Sequence, residues 1–191
     1  MLDRALLPLR KIFYRTLMKV AGSKSLLPPG KVHPSSSVYE IELLEISGRR
    51  FSLNDFSGKR ILIVNTASQC GYTPQFAELE ELRRRSEGNL VIIGVPSGDF
   101  KNQEPLDERG IAEFCSVTYP VHFVMVAKTH VTGPGCHPLY KWLSDPQLNG
   151  WNSQSPTWNF CKYLIGQDGR LLGFFNSAVS PLDELITRTH G

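Results

Sequence analysis

The chain predicts an α/β fold in which a mixed central sheet is covered by helices on both faces. Three features predict it. Between residues 60 and 127, short apolar runs rich in β-branched residues alternate with segments of helical periodicity, the pattern of strands buried beneath helices. Two hairpin signals flank this block: Ser47-Gly48 ahead of it and Asp168-Gly169 after it. The 191 residues, 41% hydrophobic and 20% charged, suffice for one domain with a full core and exclude a disordered chain.

Residues 1–21 carry Leu6, Leu9, Phe13, Leu17 and Val20 at helical spacing, with Arg10, Lys11, Arg15 and Lys19 between them, and Pro8 is expected to delay the helix start. The uncharged run 5–9 is too short for an export signal and far too short to span a bilayer. A basic amphipathic helix of this kind either lies on an anionic membrane surface or docks its apolar stripe on the parent domain. Residues 22–37 are rich in Gly, Pro and Ser and read as a linker. The expected organisation is a tail and linker over 1–37 and a domain over 38–191. Within the domain, 39–46 and 50–53 form a hairpin and 60–66 a buried strand. A helix over 75–86 places Phe76, Leu79 and Leu82 on one side. A second strand, 90–95, ends at Pro96. A helix over 107–118 puts Ile111, Phe114 and Cys115 on one face, and 121–127 reads as a third strand. A short helix over 138–143, the hairpin 163–166 with 171–175, and a closing helix over 181–189 complete the order.

The formal charge of +3 is unevenly placed. Residues 1–24 hold six Lys/Arg and one Asp, while the other 15 basic residues are outweighed by 17 acidic ones. The body therefore offers no basic face for nucleic acid. The four cysteines form no C-x-x-C pair, and the five histidines are scattered apart from the adjacent Cys136-His137, so neither a metal nor a cofactor is expected.

One cysteine is placed for chemistry. Cys70 follows the strand ending in Ile61-Leu62-Ile63-Val64 and precedes Thr73, a helix N-cap by composition, and Pro74, suited to a first helical position. Backbone N–H groups and the positive helix end favour the thiolate, the nucleophilic form. The sulfur is thus expected ionised and open to solvent.

Several separated blocks carry a resemblance: NTASQCGYT around Cys70, GVPSGDFKNQEP at 94–105 and WNFCKYLIGQDGR at 158–170, with Phe114-Cys115 and GPGCHPLYKWL at 133–143 in weaker agreement. Over roughly residues 38–189 the chain resembles the glutathione peroxidase family in its non-selenium, cysteine-containing form. The resemblance implies a thioredoxin-like sandwich and a catalytic group of Cys70, Gln103, Trp158 and Asn159, with neutral N–H donors supporting the thiolate and the departing oxygen. The implied reaction reduces hydrogen peroxide or organic hydroperoxides through a cysteine sulfenic acid. Cys115 matches the resolving cysteine of relatives recycled by thioredoxin-like proteins, although its spacing also fits core packing. Cys161 is a rival, and Cys136 an exposed loop thiol without a role. Glutathione is the other candidate reductant, but Lys101 is the only clear cation near a motif to receive its carboxylates. The alternative function is a peroxide sensor that relays oxidation to a partner protein. The chain departs from the family at Ser97-Gly98-Asp99, where Cys-Asn-Gln is common, and at Val124, where a proline often stands. The short segment between Trp142 and Trp158 implies a monomer. Free thiols and the lack of an export signal imply a reducing cytoplasmic setting, and peripheral membrane contact is one of the two readings of residues 1–21.

Overall fold

The computed structural model describes residues 7–188. Six strands form the main sheet, in the order β1 (Ser25–Leu26), β8 (Leu171–Phe175), β7 (Lys162–Ile165), β4 (Arg60–Thr66), β5 (Leu90–Pro96) and β6 (Val124–Met125). At its centre lie β4 (Arg60–Thr66) and β5 (Leu90–Pro96), paired in parallel from Arg60↔Leu90 to Thr66↔Pro96. All seven residues of β4 are buried. The reason is that the sheet is covered twice. Leu62 and Val64 face one core with Phe76, Leu79, Phe114 and Phe160, while Ile61 and Ile63 face a second with Leu139, Tyr140, Trp142 and Tyr163. A strand buried on both faces has no polar side to alternate, which is why it reads as a continuous apolar run.

On the other side of β4, β7 (Lys162–Ile165) and β8 (Leu171–Phe175) run antiparallel around the expected turn, where Gly169 takes φ 78°. The hairpin β2 (Glu42–Leu44) with β3 (Arg50–Ser52) stands as a separate two-stranded sheet. Helix α2 (Gln75–Arg85) packs Phe76, Leu79 and Leu82 into the first core, as the periodicity predicts. Helices α4 (Pro138–Ser144) and α5 (Pro146–Asn149) cover the other face.

Four expectations are corrected. The helix expected over 107–118 is an α-helix, α3 (Glu108–Glu113), followed by a π-helical turn, Phe114–Thr118, in which the Tyr119 N–H reaches the Phe114 carbonyl at 3.0 Å. The third strand, β6, shrinks to Val124–Met125, since the backbone of this segment is shared: Val126 donates to Gly94, and Ala127 to Leu44 in the hairpin. The closing helix, α6, covers only Glu184–Thr187, and the end of its expected range lies outside the described residues. The segment 22–37 is no free linker. Ser25–Leu26 forms β1, pairing with Phe175 and Phe174 of β8, and the Ser35 N–H donates to the Leu148 carbonyl.

Helix α1 spans Leu7–Val20, so Pro8 sits in the first turn, where a missing N–H breaks no bond, and does not delay the start. Its docking face differs from the expected stripe. Tyr14 is buried, its hydroxyl donates to Glu78 at 2.6 Å, and its ring meets Tyr72 edge-on at 6.4 Å. Met18 accepts from Gln75. Of the periodic stripe, Leu17 packs against the first core, Phe13 and Val20 remain exposed, and Leu6 lies outside the described residues.

Candidate active site

Cys70 closes the loop between β4 and α2. A tight turn runs from it into the helix: Thr73 N–H donates to the Cys70 carbonyl at 3.1 Å and Gln75 N–H to the Tyr72 carbonyl at 2.9 Å. The helix proper begins at Gln75, with Pro74 in helical conformation before it. Thr73 takes a different part from the expected cap of α2. Its Oγ1 accepts from the Cys70 N–H at 3.0 Å and donates to Ala67 at 2.9 Å, pinning the loop from within. The Tyr72 N–H points at the Cys70 sulfur, 3.4 Å away.

The expected open, ionised sulfur is corrected. Cys70 is only 5% exposed, and burial pushes its thiol above the ordinary value. Hydrogen bonds from the Tyr72 N–H, the Asn159 carboxamide, the Trp158 indole and the Gly71 N–H pull the other way without cancelling it. Two of the three expected side-chain donors therefore converge on the sulfur. The third, Gln103, stands one step back: its Oε1 accepts from Asn159 Nδ2 at 2.9 Å, orienting the carboxamide that meets the sulfur.

Trp158 and Asn159 are held by groups that no spacing in the sequence singles out. Asn65, at the end of β4, donates through Nδ2 to the Trp158 carbonyl at 2.9 Å, and its own carbonyl accepts from Phe160 N–H at 2.6 Å. Phe160 adopts φ 66°, a left-handed conformation rarely taken by a bulky residue, and is fully buried. Ser177 donates to the Asn159 carbonyl at 2.6 Å. Lys162, entirely buried, donates to the carbonyls of Phe160 at 2.8 Å and Val179 at 2.6 Å. Burial pulls its ammonium down to about 7 against the opposing pull of Cys161, Glu78 and Asp183.

The Gln103 loop is clamped to the Cys70 loop. The Gln69 N–H donates to the Gln103 carbonyl at 2.9 Å, and the buried Glu104 carboxylate accepts from the Ser68 N–H at 2.9 Å and hydroxyl at 2.8 Å. An acidic residue directly after Gln103 in the sequence was the available signal for this clamp. Asp99, where the chain departs from the family, accepts from the N–H groups of Val131 and Thr132 and pairs with His130 at 2.7 Å. Phe100 packs against Trp158 with ring centroids 5.7 Å apart, and Lys101 Nζ stands over the same indole, also at 5.7 Å.

Cys115 lies in the π-helical turn, 7% exposed, its thiol pushed up to about 12 by burial and the nearby Glu104. It shares the first core with Cys70, whereas Cys161 belongs to the second, on the far side of the sheet. All four cysteines are free thiols. No group of His, Cys, Asp and Glu capable of holding a metal occurs among the described residues.

The family model for glutathione peroxidase matches residues 38–144, more than half of the chain and spanning the Cys70 and Gln103 loops. The chain belongs to the glutathione peroxidase family. It is 37% identical over 147 residues to the glutathione peroxidase homolog BsaA of Bacillus subtilis, covering 76% of this chain and 91% of that protein. It is 36% identical over 155 residues to the glutathione peroxidase-like peroxiredoxin 2 of Saccharomyces cerevisiae, covering 80% and 96%. The hydroperoxy fatty acid reductase gpx1 of Synechocystis is 36% identical over 159 residues, covering 79% and 92%. Among solved structures, that of Trgpx in apo form superposes with a TM-score of 0.62 at 30% identity, over 79% of this chain and 92% of that one. A thioredoxin family protein from Chlorobium tepidum matches in fold alone, with a TM-score of 0.56 at 12% identity, over 83% and 97%. This glutathione peroxidase relative is thus a peroxidase with a thioredoxin-like α/β fold.

Proposed function

We propose that Cys70 is the peroxidatic residue of a thiol peroxidase acting on hydrogen peroxide and organic hydroperoxides by way of a sulfenic acid. The observation that carries this is the convergence of the Trp158 indole and the Asn159 carboxamide on one buried sulfur. The Cys70 sulfur attacks the terminal peroxide oxygen. An S–O bond forms as the O–O bond breaks, and the thiol proton ends on the departing oxygen, which leaves as alcohol or water. Trp158 and Asn159 stabilise the negative charge that passes from sulfur to oxygen, and Gln103 orients Asn159. The Cys115 thiol then attacks the sulfenic sulfur, releasing water and forming a disulfide that a thioredoxin-like protein reduces. Its place in the same core as Cys70 supports Cys115 over Cys161 as the resolving residue. A disulfide needs Cα atoms within about 7 Å, and in this scheme the π-helical turn that holds the buried Cys115 unwinds to bring it to Cys70. The Synechocystis relative, named for hydroperoxy fatty acids, supports extending the substrate range to bulky hydroperoxides. We assign the catalytic unit to residues 38–191, working as a monomer in a reducing cytoplasmic setting that suits its four free thiols.

Mass spectrometry after one equivalent of peroxide tests the scheme. A disulfide between Cys70 and Cys115, with steady turnover in the presence of thioredoxin and its reductase, is the expected result. A lasting glutathione adduct on Cys70 would replace thioredoxin with glutathione, and a stoichiometric burst without turnover under either reductant would favour the sensor. A Cys70→Ser variant retaining full peroxide consumption would overturn the proposal.

A further inference from the structure

Helix α1 lies outside the residues matched by the family model and presents an apolar ridge that the body leaves uncovered. Ile12, Phe13 and Val20 are 64%, 62% and 81% exposed, half of the strongly exposed large hydrophobic residues among those described. At the helical repeat they fall within about 100° of one another, opposite Tyr14 and Met18, which dock the helix. The ridge adjoins the catalytic loop: a β-carbon at Gly71, the residue after Cys70, would sit 3.0 Å from Phe13 Cε1 and 3.1 Å from Leu17 Cδ2.

We infer that α1 is a docking element for an anionic bilayer surface, bringing the adjoining Cys70 loop to the lipid. Charge selects this occupant. The 14 residues of α1 include four Lys/Arg and no acid, so an apolar ridge and a cationic helix coincide. The rest of the chain beyond residue 24 has 15 basic and 17 acidic residues, so an anionic surface attracts the α1 end alone and orients the molecule with that end down. No described helix is long and apolar enough to cross a membrane, so the contact is peripheral. Resting on the assignment of Cys70 as peroxidatic residue, the consequence is preferential reduction of hydroperoxides embedded in anionic bilayers.

Co-sedimentation of the full chain with phosphatidylcholine vesicles, with and without phosphatidylglycerol, tests the inference. Binding is expected with the anionic vesicles, weak binding with neutral ones, and release by high salt. Ile12→Ser combined with Val20→Ser is expected to weaken binding roughly tenfold or more. The same pair should slow reduction of a vesicle-embedded phospholipid hydroperoxide while leaving consumption of soluble hydrogen peroxide unchanged. Binding measured in parallel on Cys70→Ser keeps docking separate from catalysis: loss of peroxidase activity with binding intact would sink only the catalytic assignment. Absence of binding, equal binding to neutral vesicles, or a concentration-dependent dimer abolished by the double variant would overturn the docking role, the last by making the ridge a contact between copies.

Discussion

Cys70 holds its proton more tightly than a free thiol, because burial outweighs four hydrogen bonds to the sulfur. The thiolate fraction therefore grows as pH rises toward and through that raised value. The rate of sulfenic acid formation is expected to climb continuously from about pH 6 to about pH 9, measured by stopped-flow fluorescence under pseudo-first-order peroxide. A plateau below pH 7 would contradict it. Trp158→Phe keeps a ring against Phe100 but removes the indole donor, so the same rate should fall about tenfold to a hundredfold with little change in thermal stability. At this scale the candidate residues were legible, since Cys70, Trp158, Asn159 and Gln103 stand in motif blocks and the structure brings them together. Their supports were not. Asn65 reads as one more residue of a strand, and Lys162 as a solvated charge, because neither pattern shows which carbonyls fold back over them.

The elements that carry the site differ in how plainly the chain announces them. Strand β4 is buried along all seven residues and β5 along all but Val91, and their apolar stretches, Ile61 to Val64 and Leu90 to Ile93, read as unbroken runs. The turn after α3 does not announce itself, since Ile111, Phe114 and Cys115 suit one α-helical face as well as a widened turn, and only the Tyr119 to Phe114 hydrogen bond distinguishes them. Such π-turns sit frequently at functional positions. Cys115→Ser is expected to retain the first rapid reaction with peroxide, accumulate sulfenic acid trappable by dimedone, and lose thioredoxin-supported turnover by at least tenfold. Undiminished turnover would transfer the resolving role elsewhere.

Across the whole molecule, Lys162 ties the start of β7 to the turn after β8 through the carbonyls of Phe160, Asn176 and Val179. Its folded pKa of about 7 lies below the ordinary lysine value of 10.5, so between those limits the unfolded chain binds more protons. Its contribution to stability thus rises with pH across that window and is flat below it. The difference in unfolding free energy between wild type and Lys162→Met, from urea titrations at several pH values, should grow in the same direction. A difference that is constant or shrinks would show the ammonium is not depressed. Taking the difference matters, because Cys115, pushed up to about 12, works oppositely above the ordinary thiol value. The two-faced architecture follows from composition and alternation, whereas the seating of α1 does not, as helical spacing alone cannot tell which side meets the body.

The pairing of Ser25 and Leu26 with Phe175 and Phe174 has a practical corollary. Trimming the first 26 residues as dispensable would bare the rim of β8, and an unpaired strand rim invites annexation by a neighbour. Such a shortened protein should form oligomers in size-exclusion chromatography, whereas a deletion ending at residue 20 keeps its rim covered and elutes as one species.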